Sequence, residues 1–256
     1  MVLTGVLGFP VAHSRSPAMM NAAFAELGMG WRYVHLPIPP PRFAETVRAL
    51  PGSGYRGANV TLPHKLSAHD VADQLTEAAA AIGAVNTLVF EPDGSILGDN
   101  TDAGGFIDAL GIDPAGRRAL VLGAGGAGRA VVWALREAGA EVALWNRSAK
   151  RAADLADELG VRAVTDGERA DILVNATSVG LHGEDPAEEL PLGPAEIVVD
   201  LVYGSEPTSL ARWAEARGAR VVNGLEMLVR VGARSFELWT SRPAPLEAMR
   251  AALLTV

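Results

Sequence analysis

The sequence predicts an α/β fold in two parts, and three observations predict it. Strand-length apolar runs alternate with helical patterns along almost the whole chain, as expected of mainly parallel sheets. A glycine-rich turn at residues 123–128 stands between an apolar run and an Ala/Val-rich stretch. That turn begins mid-chain, so the residues before it must build a unit of their own. With 256 residues and 49% apolar content there is material for one large or two modest cores.

The elements follow in order. Val2–Leu7 reads as a strand. Ser16 is placed to N-cap a helix with Pro17 at its first position, running to Leu27 and stopped by Gly28. Trp31–Leu36 is the next strand, and the prolines 39–41 open a helix ending near Leu50. Gly57–Val60 is a strand, Pro63 starts a short helix, and Thr76–Ile82 is another. Val85–Phe90 and Ser95–Leu97 form a hairpin around Pro92-Asp93-Gly94. A helix from Thr101 leads to Gly111, and Asp113-Pro114 breaks the chain. Then come a strand at Ala119–Leu122, a helix at Gly126–Ala138, a strand at Val142–Trp145 and a helix at Ala149–Leu159. Ile172–Val174, Ile197–Leu201 and Val221–Val222 continue the sheet, and Gly224–Trp239 and Leu246–Leu254 read as closing helices. The expected division is a substrate-binding part over residues 1–102, a nucleotide-binding part over 103–223, and helices within 224–256 packing back onto the first.

Composition removes whole classes of chemistry. There is no cysteine, which excludes disulfides, Cys-ligated zinc, iron–sulfur clusters and thiol nucleophiles. The five histidines (13, 35, 64, 69, 182) show no metal spacing. A net charge of −8 argues against nucleic acid as a partner, although residues 1–70 carry a local excess of +3 able to receive a small anion. The amino-terminal apolar run is broken by Pro10 and has no basic flank, so it reads as a strand and not a signal peptide. No apolar stretch is long enough to span a bilayer, and the expected compartment is cytoplasmic. Of 22 basic residues only Lys65 and Lys150 are lysine; where any cation serves, this sequence writes Arg.

Gly123-Ala124-Gly125-Gly126-Ala127-Gly128 matches the dinucleotide fingerprint in its required context, strand before and helix after. This makes the second part a Rossmann-like doubly wound domain. The following strand ends Trp145-Asn146-Arg147-Ser148, with Lys150 and Arg151 behind it and no carboxylate. Cations with a hydroxyl and an amide suit a ribose 2′-phosphate, so NADP is expected rather than NAD. A solvated basic helix start would look the same.

The chemistry is then narrowed by exclusion. The Tyr-x-x-x-Lys pair of short-chain dehydrogenases is absent, since Tyr33, Tyr55 and Tyr203 precede Pro37, Asn59 and Pro207 at that spacing. In the first part, polar residues gather at strand ends. Ser14 and Ser16 flank Arg15 before a helix N-terminus, where a carboxylate can be held. Asn59, Thr61 and Lys65 follow another strand, and Lys65, unlike an Arg, can give up a proton. Asn86 and Asp102 add an amide and a carboxylate, though each alone would pass for a turn former and an N-cap.

Together these segments resemble the shikimate dehydrogenase family. The matching stretches run in order from Gly8–Pro17 and Gly57–Lys65 through Ile82–Thr87, Asp99–Phe106 and Gly123–Arg129. They continue through Asn146–Ala152, Asn175–Gly180, Asp200–Thr208 and Gly224–Trp239. The resemblance implies reversible, NADP-dependent reduction of 3-dehydroshikimate to shikimate on the route to aromatic amino acids. It implies that Ser14 and Ser16 bind the substrate carboxylate, that Thr61, Asn86 and Tyr203 hold its hydroxyls, and that Lys65 and Asp102 act at the reacting carbon. Glu77, Leu201 and Gly224 are implied near the cofactor. One departure stands out. Val231 occupies the position of a family Gln that binds a substrate hydroxyl, which admits quinate or an amino-substituted analogue as substrate, with Arg230, Arg234 or Ser235 as possible replacements. A methylene-tetrahydrofolate-type dehydrogenase shares the two-part plan but not the serines with the Lys65–Asp102 pair. A nucleotide-binding regulatory protein without activity is the remaining alternative. The expected partner is a small molecule, with no nucleic acid and no membrane, and the expected assembly is a monomer or homodimer.

Overall fold

The structure, a computed structural model, describes residues 1–181, 183–204 and 206–254. His182 and Ser205, and Thr255 and Val256 at the end of the closing stretch, lie outside them. In chain order the first elements are β1 (Val2–Gly8), α1 (Ser16–Glu26), β2 (Trp31–Pro37), α2 (Phe43–Ala49), β3 (Tyr55–Val60), α3 (Lys65–Val71), β4 (Gln74–Leu75) and α4 (Glu77–Ile82). Next come β5 (Thr87–Phe90), β6 (Ile96–Asp99), α5 (Thr101–Leu110), β7 (Arg118–Leu122), α6 (Gly126–Glu137), β8 (Glu141–Trp145), α7 (Ala149–Leu159) and β9 (Arg162–Ala163). The last are β10 (Ile172–Asn175), α8 (Pro186–Glu189), β11 (Ile197–Asp200), α9 (Ser209–Glu215), β12 (Arg220–Asn223), α10 (Gly224–Thr240) and α11 (Leu246–Leu254). Two compact units result: Met1–Gly105 together with the chain from Leu228 on, and Phe106–Met227. The divisions fall inside α5 and α10.

The first unit holds a six-stranded mixed sheet in the order β2-β1-β3-β5-β6-β4. Its parallel half is β2, β1 and β3, while β5 pairs antiparallel with both β3 and β6. Asp93 closes the β5–β6 turn by accepting from the Ser95 backbone N–H and hydroxyl. The register is what matters for function: Asn59 of β3 lies opposite Thr87 of β5, and Thr87 opposite Asp99 of β6. Polar residues from three separate stretches of sequence therefore share one row at the end of the sheet. Beneath them Leu7, Phe43, Val47, Leu88 and Phe90 form a buried core. On the sheet's other helices, Phe24 of α1 lies 5.5 Å from both Trp31 and Phe236, tying α10 to the first unit.

The second unit is an all-parallel sheet, β12-β11-β10-β7-β8-β9. Helices cover a sheet of this kind on both faces, so its strands must be apolar throughout and not alternating. They are: β10 and β11 are buried at every position. Strand order reverses between β7 and β10, which makes their carboxyl ends the topological switch point where doubly wound sheets bind ligands.

Local expectations failed in definite places. Ser16 does not N-cap α1; Arg15 is the cap residue and makes no side-chain capping bond, while the Ser14 hydroxyl accepts from the Ser16 N–H at 3.3 Å. Helix α3 begins at Lys65, two residues after Pro63, and His64 is its cap residue. The two-residue strands β4 and β9 are too short to show any period. Helices α8 and α9 were unforeseen, although Asp185 and Thr208 cap them by accepting from the N–H groups of Ala187 and Ala211. No described helix is long and apolar enough to cross a membrane.

Candidate active site

The row set up by β3, β5 and β6 ends in an ion pair. Lys65, first residue of α3, lies with Nζ 2.5 Å from Oδ2 of Asp102 in the first turn of α5. Both side chains are nearly enclosed, Lys65 at 13% exposure and Asp102 at 7%. Asp102 is no N-cap: Asn100 serves α5 by accepting from the Ala103 N–H, which leaves both Asp102 oxygens free for other partners. Asn86 takes the second one, its Nδ2 donating to Oδ1 at 2.7 Å. The Lys65 carbonyl accepts from the Val85 N–H, so the backbone on either side of the pair is stitched together. A paired, desolvated lysine held by an oriented carboxylate is an arrangement suited to proton transfer.

A buried polar network stands behind Asn86. Its Oδ1 accepts from the Thr101 N–H at 2.7 Å and lies 3.1 Å from both the Thr101 and the Thr87 hydroxyls. Those two hydroxyls are 3.0 Å apart and meet Ser235 Oγ of α10 at 3.1 and 2.9 Å. Asn59 Nδ2 donates to Ser235 Oγ at 2.8 Å and to Thr87 Oγ1 at 3.0 Å, and Asn59 Oδ1 accepts from the Tyr33 hydroxyl.

The other first-unit candidates are placed as follows. Ser14 and Ser16 stand at the start of α1 with their hydroxyls 3.2 Å apart, and His35 is held to the Ser14 carbonyl. Thr61 follows β3 half-buried, its N–H donating to the Leu7 carbonyl. Glu77 is exposed in the first turn of α4, a favourable position for an acid beside the helix N-terminus. Val231 packs against α5, where a Cβ added at Gly105 would come within 2.8 Å of its backbone nitrogen. Of the three residues that could stand in for its missing amide, Ser235 alone is buried.

His64 fixes the approach to Lys65. It is 1% exposed, its ring stacks on Phe43 at 4.4 Å and it meets the Ile38 carbonyl through Nε2 at 2.8 Å. Burial holds the imidazole below its ordinary value of 6.5, with the Ile38 bond opposing. A base whose charged form is disfavoured in the fold contributes full stability above its unfolded pKa and loses it as pH falls toward the folded one. Thermal unfolding should therefore show the melting temperature dropping below pH 6.5. The drop should be shallower in His64→Gln, which keeps a donor for Ile38 but cannot titrate; parallel curves would exclude His64 as a source of it.

In the second unit the fingerprint loop joins β7 to α6. Gly123 has φ +114°, a conformation that favours glycine. A Cβ on Gly128 would run into the Gly123 carbonyl oxygen, whereas one on Gly125 would meet no protein atom within 4 Å. The first contact is internal packing. The second leaves open space over the backbone at a helix N-terminus, beside Ala124, Gly126 and Ala127, and this fits a pyrophosphate. Asn146 braces the loop by accepting from the Ala124 N–H and donating to the Ser148 carbonyl, and Ser148 caps α7 by accepting from the Arg151 N–H. Arg147 and Arg151 are both exposed beside that cap. Lys150 differs, being paired with Asp154 at 2.7 Å. Leu201 and Tyr203 lie half-buried on the loop after β11, and Gly224 is packed so closely that a Cβ would sit 2.7 Å from the Leu201 carbonyl oxygen.

Sequence reasoning missed how that loop is held. Asp200, 1% exposed, accepts from Asn175 Nδ2, the Val202 N–H and the Thr208 hydroxyl. Burial pushes its carboxyl above the usual range, and these three donors pull it back. It also missed Ser235, Thr87 and Thr101 as members of one cluster; the only local signal was a serine set among apolar residues on a helix. Among the described residues no group of His, Asp or Glu is arranged to hold a metal.

Comparison with known proteins gives the following. Three family descriptions match in order: a shikimate dehydrogenase substrate-binding domain over residues 6–88, a shikimate/quinate 5-dehydrogenase over 109–180, and a shikimate 5′-dehydrogenase C-terminal domain over 224–254. A curated relative from Methanopyrus kandleri, named shikimate dehydrogenase (NADP(+)), is 44% identical over 98% of this chain and 94% of its own. A solved shikimate 5-dehydrogenase from Thermus thermophilus, in complex with NADP(H) and shikimate, superposes with a TM-score of 0.88 at 44% identity, covering 98% of both chains. The shikimate dehydrogenase from Aquifex aeolicus gives a TM-score of 0.90 at 34% identity over 99% of this chain and 97% of that one.

Proposed function

This chain belongs to the shikimate dehydrogenase family, and on that premise we propose that it is an NADP-dependent dehydrogenase interconverting shikimate and 3-dehydroshikimate. The observation that carries the reading is the Lys65–Asp102 pair with Asn86 on the second carboxylate oxygen. Oxidation removes a hydride and a proton from one carbinol; NADP, when bound, accepts the hydride. The proton leaves the hydroxyl for the Lys65 amine, and in reduction the Lys65 ammonium returns it to the carbonyl oxygen. Asp102 keeps Nζ in place and balances its charge, while Asn86 stops the carboxylate from turning away. Ser14 and Ser16 are assigned to the substrate carboxylate, and Thr61, Asn86 and Tyr203 to its hydroxyls. Gly123 to Ala127 are assigned to the pyrophosphate, and Arg147 and Arg151 to the 2′-phosphate. Leu201, Gly224 and Glu77 complete the assigned cofactor set. Lys150, tied to Asp154, contributes least there. The reading extends to a cytoplasmic enzyme acting as a monomer or homodimer.

One assay tests it. Purified protein is mixed with NADP and shikimate, quinate or aminoshikimate, and reduced-cofactor absorbance is followed, with NAD in parallel. Turnover fastest with shikimate and NADP is expected. In Arg147→Ala the KM for NADP should rise about tenfold, a loss of about 1.4 kcal/mol, while that for NAD stays near wild type. No turnover on any substrate would overturn the reaction, and equal changes for both cofactors would overturn the 2′-phosphate assignment.

A further inference from the structure

We propose that Ser235, acting with the hydroxyls of Thr87 and Thr101, is a positioning residue that locks the Asn86 amide toward Asp102 and thereby holds Asp102 on Lys65. The proposal deepens the reading above, on which its catalytic meaning rests.

The hydrogen-bond polarity supports it. The Thr101 backbone N–H can only donate, so the Asn86 atom 2.7 Å from it is oxygen and the amide nitrogen must face Asp102. Three hydroxyls with one proton each then share a triangle of contacts at 2.9 to 3.1 Å. Ser235 has an outlet of its own, the Val231 carbonyl one helical turn back at 3.1 Å. With its proton directed there, its two lone pairs accept from Asn59 Nδ2 and the Thr87 hydroxyl, and the Thr101 proton is free to reach Asn86 Oδ1. Asn86 Oδ1 is thereby held on the Thr101 side, and its Nδ2 is left to donate to the carboxylate. Asn59 lies on β3, Thr87 on β5, Thr101 on α5 and Ser235 on α10, so the serine joins a helix near the end of the sequence to the pair.

The burial supports it too. Ser235 is 0% exposed on a helix face shared with Phe236 and Trp239, where an unused hydroxyl would cost stability. Removing its oxygen takes the shortest acceptor from Asn59 Nδ2, which keeps Thr87 Oγ1 at 3.0 Å, and takes one partner from each threonine. The Thr87 and Thr101 protons then compete for Asn86 Oδ1 and for each other, and the amide loses its fixed orientation.

The two lysines allow a test that needs no substrate. Lys150 is 83% exposed and Lys65 13%, so brief acetic anhydride treatment, read by mass spectrometry, gives Lys65 labelling against an internal standard. In Ser235→Ala and in the shape-conserving Thr87→Val, the Lys65/Lys150 ratio should rise about fivefold, and Thr87→Ser, which restores the hydroxyl, should bring it back. Turnover in the two hydroxyl-deficient variants should fall about tenfold with KM for shikimate little changed, as expected when a reacting group is misplaced and binding is not. A labelling ratio within about twofold of wild type in both overturns the proposal, since the pair would then be held without these hydroxyls. Failure of both variants to fold overturns it as well, because the hydroxyls would then be serving the fold and not the pair. A wild type that does not oxidise shikimate, while the ratio rises as expected, overturns the assigned reaction and supports the positioning.

Discussion

Lys65→Ala should lower the turnover of shikimate about a thousandfold while changing its KM by no more than a few-fold, the loss expected of a missing general acid–base group. Arginine cannot replace the lysine, because a guanidinium does not surrender its proton, so Lys65→Arg should be nearly as inactive despite keeping the charge. The substitution to alanine also breaks an ion pair whose members are 13% and 7% exposed. Asp102 would keep only the Asn86 amide among its side-chain partners. An orphaned carboxylate in such a place costs about 3 kcal/mol of stability, so the melting temperature should fall together with turnover. Rates must therefore be measured well below the new midpoint. Steady-state kinetics with the melting curve decide the matter: near-wild-type turnover of a folded Lys65→Ala protein would remove Lys65 from the mechanism.

The glycines of the second unit should separate folding from binding. Gly128→Ala places a Cβ on the Gly123 carbonyl oxygen and within 2.8 Å of its carbon. Both are backbone atoms, so no side-chain rotation relieves the clash, and the strand β7 to helix α6 packing must open. A loss of about 3 kcal/mol or more in unfolding free energy is expected, with NADP binding lost alongside. Gly125→Ala should behave in the opposite way. Its φ of −89° suits any residue and its Cβ meets no protein atom, so stability should stay within about 0.5 kcal/mol of wild type. The new methyl would stand where the pyrophosphate approaches, and the Kd for NADP should rise at least about tenfold. Calorimetric melting and fluorescence titration with NADPH would show it; unchanged affinity in Gly125→Ala would move the pyrophosphate elsewhere.

Much of the fold was legible because its signals are local. The second unit's central strands are apolar along nearly their whole length, and a helix-covered parallel sheet demands that. Gly123 needs a positive φ, which its residue type announces. Lys65 stood out against a sequence that otherwise writes arginine, and the motifs around it marked it before any geometry was known. Individual contacts were less legible. Asp102 alone would pass for an N-cap, and only its motif set it beside Lys65; in the structure Asn100 caps α5 and Asp102 turns to Lys65. Ser16 looked like a cap, and the hydroxyl making such a contact belongs to Ser14. Lys150 is expected beside a 2′-phosphate, and the structure also pairs it with Asp154 one turn along the same helix. Each choice depends on which of several competent partners is nearest, and one-dimensional spacing does not rank them.

The sequence by itself determined the two-part α/β plan, the glycine-rich turn after β7, and the choice of Lys65 and Asp102 as candidates for the site. These follow from periodicity, glycine conformation and side-chain chemistry, all short-range properties. Only the tertiary structure decided that Asn59, Thr87, Thr101 and Ser235 form one hydrogen-bonded cluster behind Asn86. That outcome depends on antiparallel register between β3, β5 and β6 and on the packing of α10, and a one-residue slip in the register would turn Thr87 to the other face of the sheet.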